Sequence, residues 1–332
     1  MTTVAVLGAG SWGTTLANLL ATKGETVRLW AYETDVVQAI NRRHENPVFL
    51  ANCPLAPSLR AYDDAAEAVR DCEVVLSVAP SHTVRAVVGR IAPLLPEGLL
   101  LVSASKGIEP GSLKLMSAVL EETCPQARVA ALSGPSFAQE VYEGQPTAVA
   151  AAARDEATAR DVQRLFSTPR FRVYSNQDVV GVEVGGAVKN VIAIAAGMLE
   201  GLGLGNNPRA ALITRGLAEI TRLGLAMGAQ APTFAGLAGL GDLILTTCGQ
   251  LSRNRTLGAA LAKGQTLEEY TATHRTVAEG VNTARAAVAL GERHGVELPI
   301  CEQVYEILFH QKPPRAAVSD LMERTLKSEQ WR

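Results

Sequence analysis

The chain is poor in aromatic residues, which make up 5% of its 332 residues. A core must therefore be built from Ala, Val, Leu and Ile. The five cysteines, Cys53, Cys72, Cys124, Cys248 and Cys301, are odd in number, widely scattered and free of any CxxC spacing. That argues against a disulfide framework and against a structural zinc site. The five histidines form no HExxH or other close ligand pair, so no metal is expected. An excess of one charge is also missing: 33 acids stand against 31 bases, a net charge of -2. There is then no electrostatic reason to expect nucleic acid or anionic lipid as a partner. The longest uncharged stretch, Leu223–Gly241, is broken by Gln230, Pro232, Thr233 and several glycines, too polar for an integral membrane contact. The N-terminus enters an apolar run, Thr3–Leu7, with no basic flank and no small-residue cleavage site, so no signal peptide is read. No long internal repeat is visible. The expectation is a soluble, cytoplasmic protein.

What is present is a globular composition, 47% hydrophobic and 19% charged, with length enough for two domains. Short apolar runs at Thr3–Leu7, Thr26–Trp30, Glu73–Val78, Leu99–Ala104, Arg128–Leu132, Thr147–Ala151 and Phe171–Tyr174 read as strands. Amphipathic stretches lie between many of them: Ser11–Lys23, His82–Leu95, Leu113–Thr123 and Glu156–Phe166, the last with Asp155 as N-cap. Such alternation makes a mainly parallel sheet with helices on both faces. After about Gln177 the alternation stops. Ala/Leu/Ile segments broken by Gly and Pro follow, at Val179–Leu202, Arg209–Met227, Thr256–Lys263, Val281–His294, Pro299–Phe309 and Arg315–Lys327.

The first motif is Gly8-Ala9-Gly10-Ser11-Trp12-Gly13. It fits G-x-G-x-x-G directly after a strand and at the start of a helix. Gly8 permits the tight turn, Gly10 lets the backbone approach a pyrophosphate, and Gly13 lets helix and strand pack closely. The helix N-terminus then turns free N–H groups toward phosphates. The fold expected is therefore α/β: a doubly wound, Rossmann-type dinucleotide-binding domain over residues 1–177, followed by an all-α substrate-binding domain over residues 178–332. At the end of the second strand, Tyr32 and Glu33 stand where an acid would bind a ribose 2′-hydroxyl. Arg42 and Arg43 follow, so NAD and NADP both remain open.

Two more motifs sit at predicted strand ends, the ligand-binding edge of such a sheet: Val78-Ala79-Pro80-Ser81-His82 and Ser103-Ala104-Ser105-Lys106-Gly107. Lys106 suits an anionic ligand, although alone it reads as a surface lysine. His82 reads as a helix-start residue. Leu132–Ala138 adds Gly134 and Ser136 at a further strand end, where Ser136 alone reads as a helix cap. In Val184–Ala195, Lys189 and Asn190 interrupt an otherwise apolar helix. Desolvating an ammonium is costly or lowers its pKa, and a lysine so placed can act as a general base near neutral pH. Finally, Asp242 lies between glycines and an apolar run, so it needs a partner. Ser252-Arg253-Asn254 before a helix offers a hydroxyl, a guanidinium and an amide to a phosphate dianion.

Together these residues closely resemble the bacterial-type NAD(P)-dependent glycerol-3-phosphate dehydrogenases. The resemblance runs from Gly8 to about Pro299 and rests on GAGSWGT (Gly8–Thr14), SKG (Ser105–Gly107), SGPSFAQE (Ser133–Glu140), GGAVKNVIAI (Gly185–Ile194), GLGD (Gly239–Asp242) and SRN (Ser252–Asn254). It implies Lys189 as general base and Lys106 as a contact to both cofactor and substrate. It implies Gly134, Ser136, Asn190, Asp242, Thr246, Ser252, Arg253 and Asn254 around the substrate. Ser11, Trp12, Ala138, Val277, Glu279 and again Arg253 are implied as cofactor contacts, with Tyr32 where many members carry Arg or His. It further implies NAD(P) as cofactor with no metal, a homodimer, and a product that feeds phospholipid synthesis. The reaction expected is interconversion of sn-glycerol 3-phosphate and dihydroxyacetone phosphate in a cleft between the domains. Lys189 would exchange the hydroxyl proton, oriented by Asp242 and Asn190, and Arg253 and Asn254 would hold the phosphate. Two alternatives are a hydroxy-acid or hydroxyacyl dehydrogenase of the same plan and a dinucleotide sensor without chemistry.

Overall fold

The computed structural model describes residues 1–273, 278–326, 328 and 329. Eight strands form one sheet: β1 (Thr3–Leu7), β2 (Thr26–Trp30), β3 (Arg60–Tyr62), β4 (Val74–Ser77), β5 (Leu100–Ser103), β6 (Arg128–Ser133), β7 (Thr147–Ala153) and β8 (Phe171–Asn176). Their spatial order is β3-β2-β1-β4-β5-β6-β7-β8. Neighbours pair in parallel except β6 and β7, which are antiparallel. The central strands β4 and β5 are buried at every residue. They read as continuous apolar runs because helices cover both faces. The chain turns from β1 outward to β2 and β3, then returns to β4 on the other side of β1. That switch opens a crevice at the carboxyl ends of β1 and β4.

The helices of this part are α1 (Ser11–Lys23), α2 (Thr34–Arg43), α3 (Ala65–Ala68), α4 (Val84–Ile91), α5 (Met116–Thr123), α6 (Ala138–Tyr142) and α7 (Glu156–Phe166). Asp155 caps α7, accepting from the Thr158 N–H as expected. Several boundaries differ from the sequence reading. Strand β3 and helix α3 are three and four residues long, too short to show a period. The segment read as a helix over His82–Leu95 is a 3-10 turn at Ser81–Thr83, then α4, then a second 3-10 turn at Ala92–Leu94. The α-helix stops where Pro93 withholds an N–H. The helix expected from Leu113 starts at Met116, because residues 108–115 close on themselves: Ile108 bridges Leu115, and the Glu109 N–H bonds the Lys114 carbonyl at 2.9 Å.

Every element after Asn176 among the described residues is helical: α8 (Val179–Gly201), α9 (Asn206–Ala226), α10 (Ala231–Phe234), a π-turn at Leu237–Gly241, α11 (Asp242–Cys248), α12 (Arg253–Ala262), α13 (Leu267–Thr273), α14 (Glu279–His294), α15 (Pro299–His310) and α16 (Pro314–Met322). The π-turn, α10, α11 and α13 were not anticipated from sequence. The last segment is shorter than expected, and Lys327 lies outside the described residues. Helix α8 is the hub. It is buried without a break from Gly181 to Leu199, which explains its apolar sequence on all sides. Its glycines set how near the neighbours come. A Cβ on Gly197 would lie 1.9 Å from the Arg255 carbonyl oxygen, and one on Gly258 of α12 would lie 1.9 Å from the Ile194 oxygen. The two helices meet backbone to backbone.

Candidate active site

The crevice at the β1–β4 switch is built by consecutive residues. Gly8 has φ +117, a left-handed conformation that glycine adopts freely. A Cβ there would also crowd Val78 and Ala79 at about 3.0 Å. A Cβ on Gly13 would come within 1.9 Å of the Gly8 carbonyl oxygen, so only glycine lets α1 start this close to β1. Gly10 is different. It caps α1 without a side-chain bond, and a Cβ there would meet nothing within 4 Å. The space beside Gly10 is open at the start of α1, where the first N–H groups of a helix have no intrahelical partner, an arrangement that fits a pyrophosphate.

Around this loop, Ser11 donates its hydroxyl to the Phe49 carbonyl at 2.5 Å. Thr15 of α1 donates to the Ala138 carbonyl at 3.2 Å, which brings the start of α6 alongside. The buried Trp12 Nε1 has no partner, an unused donor beside the phosphate-facing turn. Tyr32, just beyond the carboxyl end of β2, is 82% exposed.

The second part of the site is assembled from remote segments. Lys189 of α8 is 5% exposed. Its Nζ donates to Asp242 Oδ1 at 2.5 Å and to Thr246 Oγ1 at 2.6 Å. Asp242, 1% exposed, begins α11, where the π-turn delivers it against α8. Its other oxygen accepts from Lys106 Nζ at 2.8 Å, and Lys106 also donates to the Gly134 carbonyl at 2.8 Å. One carboxylate thus joins two ammonium groups. Burial, outweighing the attraction of Asp242, pushes Lys189 down to about 7; the nearby Lys106 charge pushes the same way. An amine in that range is present in both forms near neutral pH.

A second polar row runs beside this bridge. Asn190 donates toward the Lys106 and Gly186 carbonyls at 3.4 Å and accepts from Asn254 Nδ2 at 3.0 Å. Asn254 Oδ1 accepts from the Gly280 N–H at 3.0 Å. Asn190 therefore braces the Lys106 loop, while Thr246 is the neutral partner of Lys189. Ser252 caps α12, accepting from the Arg255 N–H, and the exposed Arg253 opens that helix. Glu279, at the start of α14, accepts from the Ser81 N–H at 3.1 Å and the Ser81 hydroxyl at 2.6 Å. Glu279 also closes on the SKG loop: a Cβ on Gly107 would stand 3.0 Å from Glu279 Oε2.

The structure thus brings Lys106, Gly134, Lys189, Asn190, Asp242, Thr246 and Asn254 into one hydrogen-bonded group. Lys106 is not a surface lysine; its side chain is 17% exposed. Ser136 is not a helix cap: Phe137 holds that position, and the Ser136 hydroxyl turns back to the Gly134 carbonyl at 2.9 Å. Val277 lies outside the described residues. Among the described residues there is no group of three or more His, Cys, Asp or Glu side chains able to hold a metal ion. Sequence reasoning did not find the Ser81–Glu279 pair. Its only signal was the placement of Ser81 just beyond a strand end.

Comparison with known proteins gives a consistent result. Residues 3–159 match the family model described as the NAD-dependent glycerol-3-phosphate dehydrogenase N-terminus, and residues 178–319 match its C-terminus. The glycerol-3-phosphate dehydrogenase [NAD(P)+] of Geobacter sulfurreducens is 56% identical over 331 residues, covering 99% of each chain. That of Koribacter versatilis is 51% identical over 336 residues, covering 100% of each. The crystal structure of glycerol-3-phosphate dehydrogenase from Coxiella burnetii superposes with a TM-score of 0.94 at 41% identity, covering 97% of this chain and 99% of that one.

Proposed function

The chain belongs to the NAD(P)-dependent glycerol-3-phosphate dehydrogenase family, and from that premise we propose that it interconverts sn-glycerol 3-phosphate and dihydroxyacetone phosphate, with Lys189 handling the proton. The observation that carries this reading is the buried Lys189–Asp242–Lys106 bridge, at 2.5 and 2.8 Å. NAD(P)H, when bound, supplies the hydride that converts the carbonyl at carbon 2 to the alcohol. Every other task falls to side chains of this chain.

In reduction, protonated Lys189 polarises the carbonyl oxygen and donates its proton as the alkoxide forms. In oxidation, the neutral amine takes the hydroxyl proton. Asp242 holds the amine by one oxygen and Lys106 by the other, so the amine is oriented before substrate arrives. Thr246 accepts from Lys189 without adding charge. Lys106 faces both ligands, beside Gly134 and Ser136. The N-terminus of α12, with Ser252, Arg253 and Asn254, receives the substrate phosphate. Gly8, Gly10, Ser11, Trp12 and Gly13 receive the dinucleotide phosphates, with Ala138, Arg253 and Glu279 along its length and Tyr32 at the adenosine ribose. In this division of labour residues 1–177 supply most of the cofactor contacts and residues 178–332 most of the substrate contacts, with Lys106, Gly134 and Ser136 crossing over from the first and Arg253 and Glu279 from the second. We further propose that the product supplies phospholipid synthesis and that the chain works in the cytoplasm as a homodimer, as the family resemblance implies.

The test is an initial-rate assay of NADH and NADPH oxidation with dihydroxyacetone phosphate. Turnover with either cofactor is expected. Dinucleotide binding without turnover of dihydroxyacetone phosphate would overturn the reading.

A further inference from the structure

Glu183 is a buried acid that the proposed mechanism does not use. It sits on α8, six residues before Lys189. Its carboxyl accepts from the Ser117 N–H at 2.9 Å and from the Ser117 hydroxyl at 2.5 Å. Both partners lie in the first turn of α5, whose own N-cap, Leu115, offers no side-chain bond. The cap of α5 is thus supplied by a different helix, from the other half of the chain.

The position of Glu183 on α8 is informative. Residues three and seven further on share its face of the helix. Those residues are Gly186 and Asn190. A Cβ on Gly186 would lie 2.4 Å from Ser133 Oγ at the end of β6 and 3.9 Å from Lys106 Cγ. Asn190 reaches the Lys106 carbonyl. One row of α8 therefore lies along the ligand edge of the sheet, with Glu183 as its first anchor. The other partner of the anchor matters equally. Ser117 follows the closed loop of residues 108–115, which leads straight back to Lys106. Ile108 and Leu115 of that loop pack in the same apolar cluster as α8.

We propose that Glu183 is a positioning residue: by tying the loop that carries Lys106 to the helix that carries Lys189, it sets the spacing of the two amines that share Asp242. Both amines hang from the two elements joined at Glu183. Loosening that joint separates them and opens the seam to water. The charged group acting on Glu183 is Glu121 of α5, and the Glu183 carboxyl is taken up by its two bonds to Ser117. The role is one of geometry. A glutamine retains it, since its oxygen accepts from the Ser117 N–H and its amide donates to the Ser117 hydroxyl.

This inference rests on the proposed reaction, and the experiment separates the two. Wild-type protein, Glu183→Gln, Glu183→Ala and Ser117→Ala are compared for kcat with dihydroxyacetone phosphate, for its pH profile, and for NADH affinity by fluorescence. Glu183→Ala is expected to lower kcat by about 10- to 100-fold, as misplacement of reacting groups does, with a much smaller loss of NADH affinity, since the glycine loop that holds most of the dinucleotide is untouched. The pH limb of Lys189 should move upward, toward an ordinary lysine, as water enters. Glu183→Gln should keep both the rate and the limb of wild type. If Glu183→Ala does not fold, Ser117→Ala decides, with a smaller loss and the same upward shift. A wild-type rate and limb in Glu183→Ala, or in Ser117→Ala where it decides, would overturn the positioning role, as would a Glu183→Gln defect equal to that of alanine. An inactive wild type would instead remove the reaction itself.

Discussion

The glycine loop and the lysine bridge form the two ends of one proposed site, and they are made in opposite ways. The loop consists of six consecutive residues, works through its backbone, and is open at Gly10. The bridge draws Lys106, Lys189 and Asp242 from three distant segments, works through side-chain charge, and is closed to solvent at Lys189. Binding a phosphate needs exposed donors at a helix start, and local sequence can supply them. Tuning an amine needs desolvation, which only tertiary packing supplies.

Substitutions at either end test that contrast. The largest effect belongs to Lys189→Ala. It should lower kcat by about 10²- to 10⁴-fold, the range for a lost general acid or base, and leave NADH affinity intact. Equal loss of both would show the two ends to be one structural unit. Next comes Asp242→Asn, which leaves two neighbouring amines without their shared counter-charge. A fall in kcat of about 10²-fold is expected from the misplaced amine, with the Lys189 limb moved to lower pH, since Asp242 is what raises it.

The pH profile of the wild type is the third test. With Lys189 near 7, kcat for glycerol 3-phosphate oxidation should rise about tenfold per pH unit below that value and level off above it. The reductive direction should show the mirror limb. At the loop, Gly13→Ala forces a methyl against the Gly8 carbonyl and should cost about 1–3 kcal/mol of stability, seen in urea unfolding. Gly10→Ala should unfold like wild type and lose only NADH affinity. The smallest effect is expected far from both ends. Glu219 accepts from the Ile300 and Cys301 N–H groups at the start of α15, and burial pushes it up to about 7. The folded chain holds that proton between about 4.5 and 7 while the unfolded chain releases it. Stability should therefore fall as pH rises through this window. Glu219→Gln should make the fall shallower without changing kcat. Glu183 contributes in the same direction, so a residual slope should persist.

What could be read in advance follows the same contrast. Strands β1 and β2 and helices α1 and α7 lie where their apolar periods place them. Gly8 and Gly13 sit where a tight turn and a close helix–strand approach demand glycine, and Gly10 leaves open space beside the start of α1. Lys189 stood out because an ammonium in an apolar helix needs a reason to be there. Its partner Thr246, by contrast, was found by resemblance alone, since a threonine in a helix has many bland uses. The short β3 and α3 had too few residues to show a period. Ser136 misled because its cap-like setting is local, whereas its actual bond returns to Gly134. Glu183 gave no signal, since its partner lies 66 positions away in the chain.

The glycine seam between α8 and α12 has one further consequence. Because Gly197 and Gly258 bring main chain against main chain, Lys189 and the Ser252–Asn254 turn ride on a single rigid frame. On the proposed reading such a frame acts as a caliper with locked jaws, fixing the span from reacting carbon to phosphate, so a phosphate ester with one carbon more is expected to turn over poorly.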